Sequence, residues 1–345
     1  MISFVNDYSN GACPEILEVM INNNFENNNP YGRDYHTENA IKLIREKIKK
    51  ENAYVRIFSG GTQTNLIAIC AFLRPHEAVI AVKTGHICVH ETGSIEATGH
   101  KCIEVAGKDG KVTVEDLEKA CGEQNWDHAG ILMVKPKLVY ISQTTEVGTV
   151  YTKEELYNLR KACDKHNLYL YCDGARLASA LDCSDVTYEL LAELCDSFYI
   201  GGTKNGALFG EALVIINDRL KEDFGYIAKQ RGGVLAKGWL LGLQFERLME
   251  GDLYKNIGAY SNRLAIKLKK GILDLGLKSR IESPSNQQFF VFPNKILAKL
   301  KDKFDWEIIE KIDSEHTEIR LVTSWATKEE EVELFLQELK NAFKY

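Results

Sequence analysis

As far as about Gly251, short apolar runs alternate with longer stretches in which apolar residues recur every three or four positions. The short runs predict strands at 53–58, 78–82, 101–105, 138–142, 168–172, 197–200 and 212–216, most of them rich in Val, Ile, Leu and Tyr. Strands of this kind, separated by amphipathic helices, imply an α/β fold of three layers, with helices on both faces of a mostly parallel seven-stranded sheet. Thr152 with Glu155, and Thr327 with Glu330, each read as a capping box at a helix start. From about Asp252 a long helix containing Leu253, Ile257, Leu264 and Leu268 leads to strands near 288–292 and 318–322 and a last helix. The expected division is a large domain with an N-terminal arm over residues 1–251 and a smaller α+β domain over 252–345.

Composition narrows the classes. The 345 residues are 45% hydrophobic, ample for two cores. The net charge of -6 is spread without a long single-sign block, so neither a nucleic-acid arm nor a polybasic membrane contact is expected. The start lacks the pattern of a secretory leader, and no run reaches the roughly 18 apolar residues of a membrane span. The expected location is the cytoplasm, and the nine cysteines, with no C-x-x-C pair, fit small buried hydrophobes in a reducing compartment.

Chemistry gathers at strand ends. The strand at 168–172 runs into Asp173-Gly174-Ala175-Arg176, where a carboxylate could keep a pyridine nitrogen protonated and make the ring an electron sink. The strand at 197–200 runs into Gly201-Gly202-Thr203-Lys204, presenting a lysine able to form a Schiff base with an aldehyde. One helix and one strand fit between Asp173 and Lys204, which puts both on one edge of the sheet. Gly60-Gly61-Thr62 lies between a strand and a helix, so its free N–H groups and the Thr62 hydroxyl suit a phosphate. His86 follows the strand at 78–82 and could stack on a cofactor ring. His86 and His90 with Glu91 do not match H-E-x-x-H, whose acid lies between the histidines.

Together with Tyr31-Gly32 after the Asn-rich turn at 22–29, and with Arg320 in Glu318-Ile319-Arg320-Leu321, these segments resemble the threonine aldolase and β-eliminating lyase family. That family belongs to the fold type I, aminotransferase-like enzymes that use pyridoxal 5′-phosphate. The resemblance implies that Lys204 carries the cofactor, Asp173 pairs with its ring nitrogen, and His86 stacks on the ring. Gly61, Thr62 and Thr203 would hold the phosphate side, and Arg176, Arg320 and Tyr31 the amino-acid substrate. It also implies a homodimer or homotetramer.

The implied reaction cleaves a β-hydroxy-α-amino acid such as threonine to glycine and an aldehyde. Two departures bear on it. The family's Ser-Asp-Thr type segment is Asn6-Asp7-Tyr8-Ser9 here, and its second active-site histidine aligns with Gln143. Glutamine accepts no proton as a base, which leaves His86, near its neutral state, as the expected base. The family's phosphate-binding arginine from a neighbouring subunit has no match in 231–237, where Arg231 or Lys237, or the nearby Lys229, could substitute. β-Elimination or amino transfer on another amino acid is the alternative chemistry. A phosphate-ligand binding protein without catalysis, and a metal hydrolase built on His86 and His90, are alternatives of other classes.

Overall fold

A computed structural model describes residues 1–122 and 130–344. Its strands are β1 (Ile2–Ser3), β2 (Tyr54–Phe58), β3 (Glu77–Val82), β4 (Cys102–Val105), β5 (Lys135–Ser142) and β6 (Tyr169–Asp173). After them come β7 (Ser197–Gly201), β8 (Glu211–Ile215), β9 (Gln287–Pro293), β10 (Phe304–Asp305), β11 (Glu307–Lys311) and β12 (His316–Val322). β2 to β8 are the seven strands expected from the apolar runs, and they form one sheet in the order β2-β8-β7-β6-β5-β3-β4. Within it only β8 opposes its neighbours.

Alternate residues of these strands enter two cores, as the two-residue period of a strand requires. Val139, Ile141, Leu170 and Phe198 pack into one, and Leu138, Tyr140, Tyr171 and Tyr199 into the other. The antiparallel sheet β11-β12-β9 builds a third core with the helices Leu253–Leu273 and Glu329–Lys344.

Two features differ from the sequence reading. β1 and Phe4 join this third core: β1 pairs with β10, and Phe4 O accepts the N–H of Val322 at 2.8 Å. The arm thus crosses the division expected between residues 251 and 252. The capping box at Thr152 and Glu155 forms, but the one at Thr327 and Glu330 does not. There the Thr327 hydroxyl accepts from Ser324 N–H, and Glu331 reaches back to Lys328 N–H, because the helix begins later, at Glu329. Among the described residues no helix is long and apolar enough to cross a membrane.

Candidate active site

The C-terminal ends of β5, β6 and β7, the start of β8 and the N-terminus of helix Gly61–Phe72 surround a cavity of about 580 Å³. Strand ends of open α/β sheets are where such sites form. Gly61, Thr62, His86, Asp173, Arg176, Thr203, Lys204 and Arg320 all line it.

Asp173 ends β6, beside Ser142 of β5 in the parallel register. Its Oδ2 accepts from Tyr140 Oη at 2.7 Å and Asn65 Nδ2 at 3.0 Å, and its Oδ1 from Ala175 N–H at 2.9 Å. Burial alone would raise its pKa. The His86 charge and hydrogen bonds from Tyr199, Asn65 and Tyr140 outweigh burial and hold the carboxyl below its ordinary value.

Asn65 also donates to Glu91 Oε1 at 2.8 Å, and Glu91 Oε1 meets His86 Nδ1 at 2.8 Å. Glu91 and Asp173 raise the His86 pKa against the opposing effects of burial and Lys204. The imidazole expected to act as the base is thus engaged at Nδ1 by Glu91.

Lys204 lines the cavity half-buried, and no side-chain hydrogen bond holds it among the described residues; its Nζ lies 5.7 Å from the centre of the Tyr8 ring. Burial, then Arg176, lowers its pKa although Asp7, Asp173 and Glu211 oppose them, which favours the nucleophilic neutral amine. Glu211, at the start of β8, accepts from Gly202 N–H at 3.0 Å, and burial pushes its carboxyl up to about 8.

Two arginines face the cavity in different states. Asp7 accepts from Arg176 Nε at 2.7 Å and from Nη2 at 3.0 Å. Arg320 donates through Nη1 to Gln287 at 3.1 Å and pairs through Nη2 with Glu307, while its buried Nε has no partner.

Other expected positions lie elsewhere. Tyr31 borders a separate small cleft with Arg56 and Leu235, in a left-handed backbone conformation (φ 65°), and Lys229 sits 4.8 Å from its ring centre. Arg231 approaches Cys70, and neither it, Lys229 nor Lys237 lines the cavity. Gln143 is fully buried, its amide tied at both ends to the Tyr151 backbone. The same loop instead presents Thr144 and Glu146 to the cavity. Asn6 closes its own turn, bonding Tyr8 N–H and the Ser9 hydroxyl, and Tyr8 is the arm residue at the cavity. His86 and His90 have ring centres 5.5 Å apart, and no trio of metal ligands gathers among the described residues.

The cavity fits pyridoxal phosphate on three counts: an unbonded half-buried lysine, a firmly ionised aspartate at the sheet edge, and a phosphate cradle. In the cradle Gly60 has extended backbone at the helix start, and a Cβ on Gly61 would lie 3.1 Å from Tyr199 Oη. Lys204, Asp173, His86, Gly61, Thr62 and Thr203 are the residues that would hold the group. Fold and site thus define a fold type I, pyridoxal phosphate-dependent enzyme.

The chain belongs to the β-eliminating lyase family, whose model matches residues 4–282. It is 30% identical over 335 residues to a low specificity L-threonine aldolase of Pseudomonas sp. strain NCIMB 10558, covering 95% of this chain and 94% of that one. A solved threonine aldolase structure from Leishmania major matches with a TM-score of 0.96 and 49% identity over 99% of each chain. The aspartate aminotransferase of Thermus thermophilus, at 15% identity and a TM-score of 0.72 over 99% of this chain and 91% of that one, shares the fold. The protein is a pyridoxal phosphate-dependent lyase.

Proposed function

We propose that this lyase cleaves a β-hydroxy-α-amino acid such as threonine to glycine and an aldehyde. The observation that carries the reading is the meeting of Lys204, Asp173, Arg176 and Arg320 in one cavity. The threonine aldolases that match nearly end to end support it. The unpartnered Nε of Arg320 and the edge of Arg176 not used by Asp7 suit the substrate carboxylate, since guanidinium presents donors in a planar fork. That grip fixes the α-carbon relative to Lys204. Asp173, whose carboxyl is held below its ordinary value, would keep the ring nitrogen of the bound cofactor protonated. When bound, the cofactor ring accepts the electron pair released as the Cα–Cβ bond breaks.

The reading extends to a homodimer or homotetramer, and to a cytoplasmic location. The exposed Tyr31 and Lys229, outside their own cavity, are available to a neighbouring subunit, and nine unpaired cysteines suit a reducing compartment.

The test is the absorbance of wild type and Lys204→Ala with and without threonine, alongside aldehyde release from threonine, allo-threonine and phenylserine. Wild type should show a Schiff-base band that borohydride fixes covalently, and should release aldehyde; Lys204→Ala should do neither. Pyruvate with ammonia, or amino transfer to a keto acid, in place of aldehyde would redirect the assignment to elimination or transamination.

A further inference from the structure

The retro-aldol reading needs a group that removes the β-hydroxyl proton; His86, the expected base, is engaged at Nδ1 by Glu91, and Gln143 cannot accept a proton. Gln143 is also buried against the Tyr151 backbone, and the His86 pKa is raised. The loop that was to supply a histidine contains one titratable side chain between Gln143 and Val150, that of Glu146.

Glu146 is fixed at one carboxylate oxygen and unpaired at the other. Oε1 accepts from Ser142 Oγ at 2.6 Å and from the backbone N–H of His86 at 3.0 Å. Oε2 is shut from solvent and has no hydrogen-bond partner, and the residue lines the cavity with Lys204. An enclosed acceptor left unmatched is costly unless something fills it. We propose that the unmatched partner is the substrate's β-hydroxyl and that Glu146 Oε2 is its proton acceptor. The assignment rests on the retro-aldol reading.

The surroundings suit that task. Asp173 from β6, Tyr140 from β5, Arg176 and Tyr151 are among the ionisable groups whose charges couple to Glu146, and His86 donates its backbone N–H to it. Burial raises its pKa and Asp173 raises it further, against the bond from Ser142, so the carboxylate is a stronger base than in water. His90 also lines the cavity, and burial with the His86 charge lowers its pKa.

In the step itself the β-O–H proton passes to Glu146 Oε2, and the O–H pair becomes the second bond of the aldehyde carbonyl. The Cα–Cβ bond breaks with its pair left at Cα, where the cofactor, when bound, would delocalise it. One proton leaves the β-oxygen and one later arrives at Cα, so no co-reactant is required.

The experiment compares holoenzyme of wild type, Glu146→Gln and His90→Asn in two assays: aldehyde release from threonine, and exchange of the glycine α-proton in D2O followed by NMR. Glycine exchange needs Lys204 and the cofactor but no base at a β-oxygen. For Glu146→Gln, kcat for cleavage should fall on the order of 10²- to 10⁴-fold, with glycine exchange and the Schiff-base band retained. Cleavage within about tenfold of wild type, below what a positioned acid–base group supplies, would overturn the proposal. So would parallel loss of cleavage and exchange, or loss of cleavage alone in His90→Asn with Glu146→Gln active. Wild type that exchanges glycine yet cleaves no β-hydroxy amino acid would sink the retro-aldol reading, and this assignment with it.

Discussion

The pair of Arg176 and Asp7 shows how a residue lining the cavity is held by a buried ion pair. Both side chains are nearly inaccessible, and Asp7 also accepts from Asn286 Nδ2 at 2.9 Å. Burial opposes ionisation of Asp7, but Arg176 and Lys204 outweigh it and hold the carboxyl below its usual range. Arg176→Met would strand that charge and should cost about 3–5 kcal/mol, the penalty for breaking a buried pair from one side. Urea unfolding checks this, and Asp7→Asn in the same chain should recover part of the loss. An effect below about 1 kcal/mol, typical of an exposed pair, would contradict it. Arg176 was readable in the sequence because Asp173-Gly174-Ala175-Arg176 follows an apolar strand, as was Lys204 after β7. Glu146, Glu211 and Asn65 were not, since an acid in a loop or an amide inside a helix looks the same in sequence whether it faces solvent or a cavity. Gln143 drew attention by alignment, yet the backbone turns it away and its neighbour three positions on toward the site.

At the scale of elements, apolar runs foretold β2 to β8 within a few residues because most of them, β3 and β5 to β8, are buried on both faces, so little polar alternation obscures them. β11 was missed for the opposite reason: Glu-Ile-Ile-Glu-Lys is an exposed edge strand with a bulge, and it brings Glu307 to Arg320. Close approach between helices is likewise invisible in a periodic pattern. Helix Leu253–Leu273 crosses helix Leu177–Cys183 so tightly that a Cβ on Gly258 would lie 2.1 Å from the carbonyl oxygen of Ala178. Alanine favours a helix over glycine by about 1 kcal/mol, but a backbone oxygen has no rotamer by which to retreat. Gly258→Ala should therefore lower stability by roughly 1–3 kcal/mol, as overpacking does. Thermal unfolding that shows stabilisation would mean the helices separate freely. Because helix Leu177–Cys183 directly follows Arg176, the same substitution should raise the KM for the amino acid.

Across the whole molecule, the first 36 residues tie the layers together. β1 pairs within the C-terminal part, Asp7 clamps Arg176, Cys13 N–H bonds Gly206 O at 2.9 Å, and His36 anchors the turn that follows the first helix. His36 Nε2 meets Glu26 at 2.8 Å and Nδ1 meets Glu246, on helix Trp239–Met249, at 2.6 Å. Burial acts to lower its pKa, but hydrogen bonds and charge from the two carboxylates prevail and raise it above the ordinary value. A raised histidine pKa means the folded protein binds the proton more tightly than the unfolded chain. The added stability is complete below the unfolded value of about 6.5 and disappears as pH climbs through the higher folded value. His36→Gln still offers a side-chain N–H donor but does not titrate. The thermal stability of wild type relative to His36→Gln should therefore be greatest near pH 6 and shrink steadily toward about pH 9. A difference that stays constant or grows over that interval would show that the two carboxylates do not hold His36 charged, and that the arm is anchored by its other contacts alone.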